Sequence, residues 1–350
     1  MKKYDVVVFI GRFHPLHNAH VEMLQRASEL TDNLLVILGS AKQPRTFKNP
    51  WTDNERKALI GSVLYDIKEQ QGSNFNFGFA SNYDTIYNNQ AWAVRVQKIV
   101  SDFVYNTKGP GEFKVALIGH KKDETSFYLD MFPQWETIDQ ELIEQLNATD
   151  IRDLYFKDDA NLKYLKFVVP EVTYKFLEQF KETDEYQEII KEREFIAKYK
   201  SQYAGLPYAP IFVTTDAVVV QSGHILLVKR RSYPGKGLWA LPGGFVDAGK
   251  DASVQDAMLR ELREETGIKV PAPVLAGNIQ SNKVFDAKGR SARGRTITHA
   301  FHIQLPDHGP LPKVKGQDDA EKAQWIPIGS LRSEEFFEDH FEIIGHFVGA

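Results

Sequence analysis

Two short stretches of this chain concentrate side chains able to do phosphate chemistry. The first is Gly11-Arg12-Phe13-His14-Pro15-Leu16-His17-Asn18-Ala19-His20, which holds three of the chain's ten histidines. His17 and His20 are three apart, so both can face one side of an incoming helical turn. A helix start offers free N–H groups and the positive end of the dipole, both suited to phosphate. Two imidazoles there can donate hydrogen bonds to a phosphate as charge develops on it. The second stretch is Arg260-Glu261-Leu262-Arg263-Glu264-Glu265-Thr266-Gly267. At ~100° per residue, Glu261, Glu264 and Glu265 fall on one helix face. Carboxylates so placed repel one another unless a cation joins them, and hard oxygen ligands select Mg²⁺ or Mn²⁺. Such an ion can activate water and neutralise a diphosphate under attack. Downstream, the segment from Gly289 to His299 is basic and glycine-containing, with Arg293 and Arg295 able to close over a diphosphate.

The elements that must position these groups can be read from the pattern around them. Residues 5–10, 34–38 and 115–118 are short apolar runs rich in Val, Ile and Leu, and read as buried strands. Helices are expected near 18–30, 53–64 and 91–104, the last with Trp92, Val96, Ile99, Val100 and Phe103 at helical spacing. Strands alternating with helices imply a parallel α/β sheet, whose ligands sit at the carboxyl ends of its strands. The histidine segment follows the first of these strands directly. The second half has another texture: strands near 212–220 and 225–229 joined at Ser222-Gly223, a Pro242-Gly243-Gly244 loop, a helix near 253–266, and strands near 297–303 and 323–327. That is a mixed α+β pattern. The stretch from Lys181 to Lys200 is densely charged and runs into the turn-rich Gly205-Leu206-Pro207, so the domain junction is placed there.

Composition narrows the functional classes. A length of 350 residues suits two domains. With no cysteine, disulfides, thiolate zinc sites and a cysteine nucleophile are excluded. The 43 basic and 47 acidic residues give a net charge of −4, which argues against bulk nucleic-acid binding. Neither a signal peptide nor an apolar run long enough to span a bilayer is visible. The expectation is a cytoplasmic protein without membrane or nucleic-acid partners.

The histidine segment resembles the (H/T)xGH signature of the nucleotidylyltransferase superfamily, and GRFHPLHNAH is similar to the archaeal type of nicotinamide mononucleotide (NMN) adenylyltransferase. Ala19 stands where the signature has glycine. Asn147-Ala148-Thr149-Asp150-Ile151-Arg152 resembles the second superfamily signature. By that resemblance Thr149 and Arg152 hold the β- and γ-phosphates of ATP. Gly11, Arg12 and Phe13 then belong to the nucleotide site, as do Gly119 and Asp123 in the loop after the strand at 115–118. Trp92 resembles the aromatic that stacks on nicotinamide, or else is a core residue of its helix. Arg45 resembles a basic residue on the NMN phosphate, or else is a solvated loop arginine. The implied reaction is in-line attack by the NMN phosphate on the α-phosphate of ATP, giving NAD and pyrophosphate.

The glutamate helix is similar to the Nudix box, GX5EX7REUXEEXGU, with U aliphatic. Arg260, Glu261, Leu262, Glu264, Glu265, Gly267 and Ile268 match. The front does not: counted from Gly244 the first glutamate position falls on Lys250, and counted back from Arg260 it falls on Ala252. The loop is thus two residues longer, with Asp251 a candidate stand-in. The segment bearing Arg293 and Arg295 resembles the substrate side of Nudix domains that act on ADP-ribose. Together the resemblances imply an α/β protein: an N-terminal Rossmann-like nucleotidylyltransferase domain with a parallel sheet (1–183), a charged helical linker (184–207), and a C-terminal α+β Nudix domain with a mixed sheet (208–350). The implied substrates are ATP, NMN and ADP-ribose. Catalytic roles fall to His17, His20, Arg152, Glu264 and Glu265, with Mg²⁺ or Mn²⁺ held by Glu261, Glu264 and Glu265. A homo-oligomer is left open, as are a Nudix domain that only senses ADP-ribose or NAD, another nucleoside diphosphate substrate, and another acceptor in the N-terminal reaction.

Overall fold

The computed structural model describes residues 2–120, 124–139, 147–157 and 161–349, without the side chains of 124–127. The chain falls into two compact units, Met1–Ile190 and Lys191–Ala350.

In the first unit, strands β1 (Val6–Gly11), β2 (Asn33–Leu38), β3 (Asn76–Ser81), β4 (Val115–Gly119) and β5 (Glu136–Asp139) form one sheet in the order β3-β2-β1-β4-β5. Every neighbouring pair is parallel. Helices α1 (Asn18–Leu30), α2 (Asp53–Gln71) and α3 (Asn89–Lys108) make the crossovers. The side-chain alternation of β1 explains its unbroken apolar run. Val7 and Phe9 pack with α1 and α2 on one face, while Val6, Val8 and Ile10 pack with α3 on the other. Because β2 and β4 flank β1 on opposite sides, the strand order reverses at the carboxyl end of β1, where α/β sheets bind ligands. Helices α4 (Ala148–Tyr155), α5 (Leu162–Leu165) and α6 (Glu171–Phe180) follow. They bury a second core of Ile151, Tyr155, Phe156, Leu177 and Phe180 around Trp51.

The division between the units falls within α7 (Asp184–Ser201), the helix of the charged stretch. The second unit holds β6 (Ile211–Gln221), β7 (His224–Arg230), β8 (Trp239–Ala240), β9 (Gly243–Phe245), α8 (Val254–Thr266), α9 (Ala272–Gly277), β10 (Ile279–Phe285), β11 (Arg295–Gln304), β12 (Ala320–Pro327) and α10 (His340–Val348). Its sheet runs β10-β11-β6-β7-β12, with β8 on β7 and β9 on β6. It is mixed: β11 pairs β6 in parallel and the other pairs are antiparallel. Helix α8 starts on Ser253, whose hydroxyl accepts from the Asp256 N–H, and stops at Gly267 with φ 53°. Its Met258 and Leu262 pack on Ala217 and Val219 of β6, which sets how Glu261, Glu264 and Glu265 are turned about the helix axis. Among the described residues no helix is long and apolar enough to cross a membrane.

Candidate active sites of the two units

In the first unit β1 ends at Gly11 because the Phe13 ring folds back over it. A Cβ on Gly11 would lie 2.8 Å from Phe13 Cζ. Phe13 has φ 53° and is buried, packing against Phe9 at 5.3 Å and His20 at 4.8 Å between ring centroids. It wedges the turn and holds His20 rather than presenting an open face; Arg12 beside it is exposed. His17 is the N-cap of α1, and its N–H donates to Nδ1 of His20 at 3.4 Å. The two rings lie 3.8 Å apart. Burial, and then His17, hold the His20 pKa well below the usual histidine range, so its ring is neutral and keeps one N–H to donate. Ala19, in place of the signature glycine, is accommodated with its methyl buried.

Arg152 crosses from α4 to this loop. Its Nη1 donates to the His14 carbonyl at 2.6 Å and the Ala148 carbonyl at 3.1 Å, and its Nη2 to Thr149 Oγ1 at 3.2 Å. Asn147 caps α4, accepting from the N–H groups of Thr149 and Asp150. Burial, and then Arg12, lower the Arg152 pKa to about 10. The two signature segments therefore meet at one strand end. Other candidates are placed elsewhere. Arg45 pairs through both terminal nitrogens with Glu55, each at 2.8 Å, and also donates to the Pro50 carbonyl. Trp92 is half-buried against Tyr128 and Phe132. Gly119 ends β4 in contact with Leu129, with no room for a Cβ. Asp123 lies outside the described residues.

In the second unit the Gly243-Gly244 strand lies against α8. A Cβ on Gly244 would come within 2.6 Å of the Glu261 carboxylate, so only glycine lets the loop approach this closely. The Gly243 N–H donates to Glu265 at 2.9 Å. Glu265 is buried, and burial pushes its pKa up to about 8 against the opposing Gly243 N–H and Arg230; Glu261 and Asp216 add to the rise. Glu261 is half-buried and also raised by burial, while Glu264 is exposed. Arg260 joins the set: it donates to Glu261 at 2.8 Å, to Glu264 at 3.0 Å, and through Nε and Nη2 to Asp251 at 2.8 Å each. Asp251 thus ties the longer front of the loop to the helix.

The chain carries matches to two family models, cytidylyltransferase-like over residues 8–154 and NUDIX domain over 211–347. It is 33% identical over 203 residues to a nicotinamide/nicotinic acid mononucleotide adenylyltransferase of Acinetobacter baylyi, covering 58% of this chain and 97% of that one. It is 32% identical over 162 residues to an ADP-ribose pyrophosphatase of Methanocaldococcus jannaschii, covering 46% of this chain and 83% of that one. Both halves match a single crystal structure, that of a bifunctional NMN adenylyltransferase/ADP ribose pyrophosphatase from Francisella tularensis complexed with AMP and a Mn ion. There the identity is 31%, the coverage 99% of each chain and the TM-score 0.85. The chain belongs to this bifunctional family.

Within this NMN adenylyltransferase/ADP-ribose pyrophosphatase chain, the fit of a metal ion can be tested on the glutamate helix. Among the described residues no three His, Asp or Glu side chains converge on one point. Arg260 instead supplies a cation between Glu261 and Glu264. Glu265 is buried and Glu261 half-buried on the same helix face; burial raises the pKa of both, and Glu261 adds to the rise of Glu265. A set of hard carboxylate oxygens on one helix face fits a divalent cation.

Several buried groups escaped the sequence reading. Arg56 of α2 is 1% exposed. It donates to the carbonyls of Arg12 at 2.6 Å, Gly39 at 2.8 Å and Ser40 at 3.3 Å, and pairs with Asp53 at 2.9 Å. It pins the loops after β1 and β2 together. Its signal was present: Arg56 shares the helical spacing of the apolar Ile60, Val63 and Ile67. On the other sheet, Asp216 is buried, accepts from Thr298 Oγ1 at 2.5 Å, and is raised in pKa by burial. Arg293 lies over Phe245 at 5.0 Å and Phe337 at 5.9 Å, while Arg230 stacks on Phe337 at 4.1 Å. Arg295 turns to Asp286 and its carbonyl. The convergence of 216, 230, 293 and 337 depends on strand pairing and left no local signature.

Proposed function

We propose that the first unit transfers an adenylyl group from ATP to NMN, giving NAD and pyrophosphate. The observation that carries this is the reach of Arg152 to the His14 carbonyl, which joins the two signature segments at the switch point of the sheet. An NMN phosphate oxygen attacks the α-phosphorus of ATP, and the bond to the pyrophosphate oxygen breaks. His17 and His20, in contact at the start of α1, donate hydrogen bonds to the phosphate oxygens as negative charge grows there. Arg152 and Thr149 hold the β- and γ-phosphates, and the free N–H groups of α1 add to the cradle. Gly11, Arg12, Phe13, Gly119, Asp123 and Trp92 complete the nucleotide and nicotinamide surroundings. The ion pair with Glu55 gives Arg45 a role in holding the 45–55 loop.

The second unit, on the same reading, hydrolyses ADP-ribose to AMP and ribose 5-phosphate. Glu261, Glu264 and Glu265 hold Mg²⁺, with Mn²⁺ the alternative. When bound, the ion withdraws charge from the diphosphate and acidifies water. The Gly243 N–H fixes the Glu265 carboxylate, Arg260 sets the spacing of Glu261 and Glu264, and Arg293 faces the diphosphate, with Arg295 reaching it on release from Asp286. Glu264 and Glu265 are the candidates to take the proton from the attacking water. We take residues 1–183 and 208–350 as the two domains, joined by 184–207, in a cytoplasmic protein acting on small molecules.

The test is a pair of assays on the purified chain. NAD formation from ATP and NMN is expected, and is lost in His17→Ala. AMP release from ADP-ribose with Mg²⁺ or Mn²⁺ is expected, and is lost in Glu264→Gln. Binding of ADP-ribose without AMP release would replace the hydrolase by a sensing domain. The hold of Asp251 on Arg260 speaks against that outcome, because it supplies the loop–helix tie that the displaced box glutamate leaves open.

A further inference from the structure

The turn after β2 is held by residues outside both signature segments of the first unit. Ser40 is buried and has a φ of 46°, in the left-handed region that residues other than Gly, Asn and Asp rarely adopt. Asp84, in the loop after β3, accepts from the Ser40 N–H at 3.3 Å and from its hydroxyl at 2.5 Å. Arg56 donates to the carbonyls of Gly39 and Ser40 and to that of Arg12. The Gly39 N–H donates to the Gly11 carbonyl at 2.9 Å. A Cβ on Gly39 would meet Arg12 Cγ at 3.6 Å and Asp84 Oδ1 at 4.0 Å, so the arginine stem and the carboxylate close on the same glycine. The Asp84 loop is itself fastened. Arg95 of α3 donates from Nε to Asn82 Oδ1 at 3.1 Å and from Nη2 to the Tyr83 carbonyl at 3.0 Å, and stacks on the Tyr83 ring at 3.8 Å. Backbone strain of the kind Ser40 shows persists only where surrounding contacts over-determine it, and it collects at ligand sites.

We propose that Asp84 is a positioning residue of the adenylyl-transfer site. By holding Ser40 left-handed it keeps the Gly39-Ser40 turn against the loop of Gly11, Arg12 and Phe13, and so sets where Arg12 stands when ATP and NMN are bound. The inference rests on the first unit's proposed reading. Without the Asp84 carboxylate, Ser40 keeps only its carbonyl contact to Arg56, at 3.3 Å, and its backbone is free to relax to negative φ. That relaxation shifts the turn beneath Arg12. In-line transfer between two phosphates depends on alignment, which a small shift of a supporting loop is enough to spoil.

The test is Asp84→Ala in the full chain, assayed for NAD formation from ATP and NMN below its unfolding temperature. The expected result is a kcat about ten-fold lower with KM for both substrates within about two-fold, the mark of lost alignment rather than lost binding. Asp84→Asn should recover most of kcat, because its amide oxygen still accepts from the Ser40 N–H and its NH₂ can donate to the Ser40 hydroxyl. On a Ser40→Gly background, Asp84→Ala should lower kcat by less than about two-fold further, since glycine takes the left-handed turn without a partner. Where the alanine variant does not fold, Asp84→Glu takes its place: it keeps the charge, displaces the carboxylate by one methylene, and should lower kcat too. An unchanged kcat in the folded variant, whatever happens to its stability or KM, would overturn the inference, as would a full further loss on the Ser40→Gly background. A wild-type chain that forms no NAD removes the first unit's reading and this inference with it. A wild-type chain that forms NAD beside an unimpaired Asp84→Ala removes the inference alone.

Discussion

The two units handle phosphate with opposite electrostatics. In the first, the chain brings its own cations: Arg56 and Arg152 are buried at the loop after β1, and two imidazoles stand in contact at a helix start. In the second, the chain brings carboxylates together, and burial lifts the Glu265 pKa to about 8. The first site is assembled by protein hydrogen bonds before any substrate arrives; Arg56 alone holds three carbonyls. The second, on the reading proposed above, is completed by a divalent ion from solution. A diphosphate whose charge must be neutralised while water attacks demands a stronger, more local charge than a guanidinium offers. A transfer between two phosphates needs alignment above all.

That contrast can be broken in graded steps. Glu265→Gln should lower AMP release by more than about 100-fold, beyond the cost of losing an outer-shell partner, and leave NAD synthesis unchanged; equal losses in both assays would end the idea of separate sites. His20→Ala should lower NAD synthesis by about 100-fold with KM for ATP little altered, since the hydrogen bond matters as charge develops. A rise in KM alone would reassign His20 to ground-state binding. Asp251→Asn should weaken divalent-ion activation by about ten-fold, because Arg260 loses its strongest partner and moves further onto Glu261 and Glu264. Full activity in that variant would mean that the longer loop needs no tie at all.

A smaller effect separates the units by pH. Burial lowers the His340 pKa from the usual 6.5 to about 3, its ring accepting from Leu241. Between those values the unfolded chain binds a proton that the folded chain refuses. Stability is therefore whole above pH 6.5 and falls as pH drops, by about 2 kcal/mol at pH 5. His340→Gln should flatten that slope in thermal unfolding; an unaltered slope would assign the acid sensitivity to the first unit's buried His14 and His20. Smallest of all, Arg45→Ala should lower stability by about 1 kcal/mol with KM for NMN within about two-fold, because its guanidinium is already committed to Glu55; a large rise in KM would return Arg45 to the substrate.

Legibility followed the range of the interactions. The histidine turn and the glutamate helix were readable because each is local: helical spacing and strand-end glycines put the side chains on one face. The match of Asp251 to a supporting role was also local, nine residues from Arg260 along the chain. The strand Asn76–Ser81 was not anticipated, since Asn76, Gly78 and Ser81 interrupt its apolar pattern and its order depends on pairing with β2. Arg45 and Trp92 could be placed on the right elements but not assigned partners, because Glu55, Tyr128 and Phe132 reach them only through folding.

By itself the sequence determined the chemical vocabulary of the protein: two histidines at a helix start, three glutamates on a helix face, and an absence of cysteine chemistry. Spacing within a helix suffices for that. Only the tertiary structure decided how those groups are tuned. The 138-residue reach from Arg152 to His14, the burial that lifts Glu265, and the grip of His340 on Leu241 and of Asp339 on Arg290 arise from desolvation and long-range pairing, which no local pattern encodes.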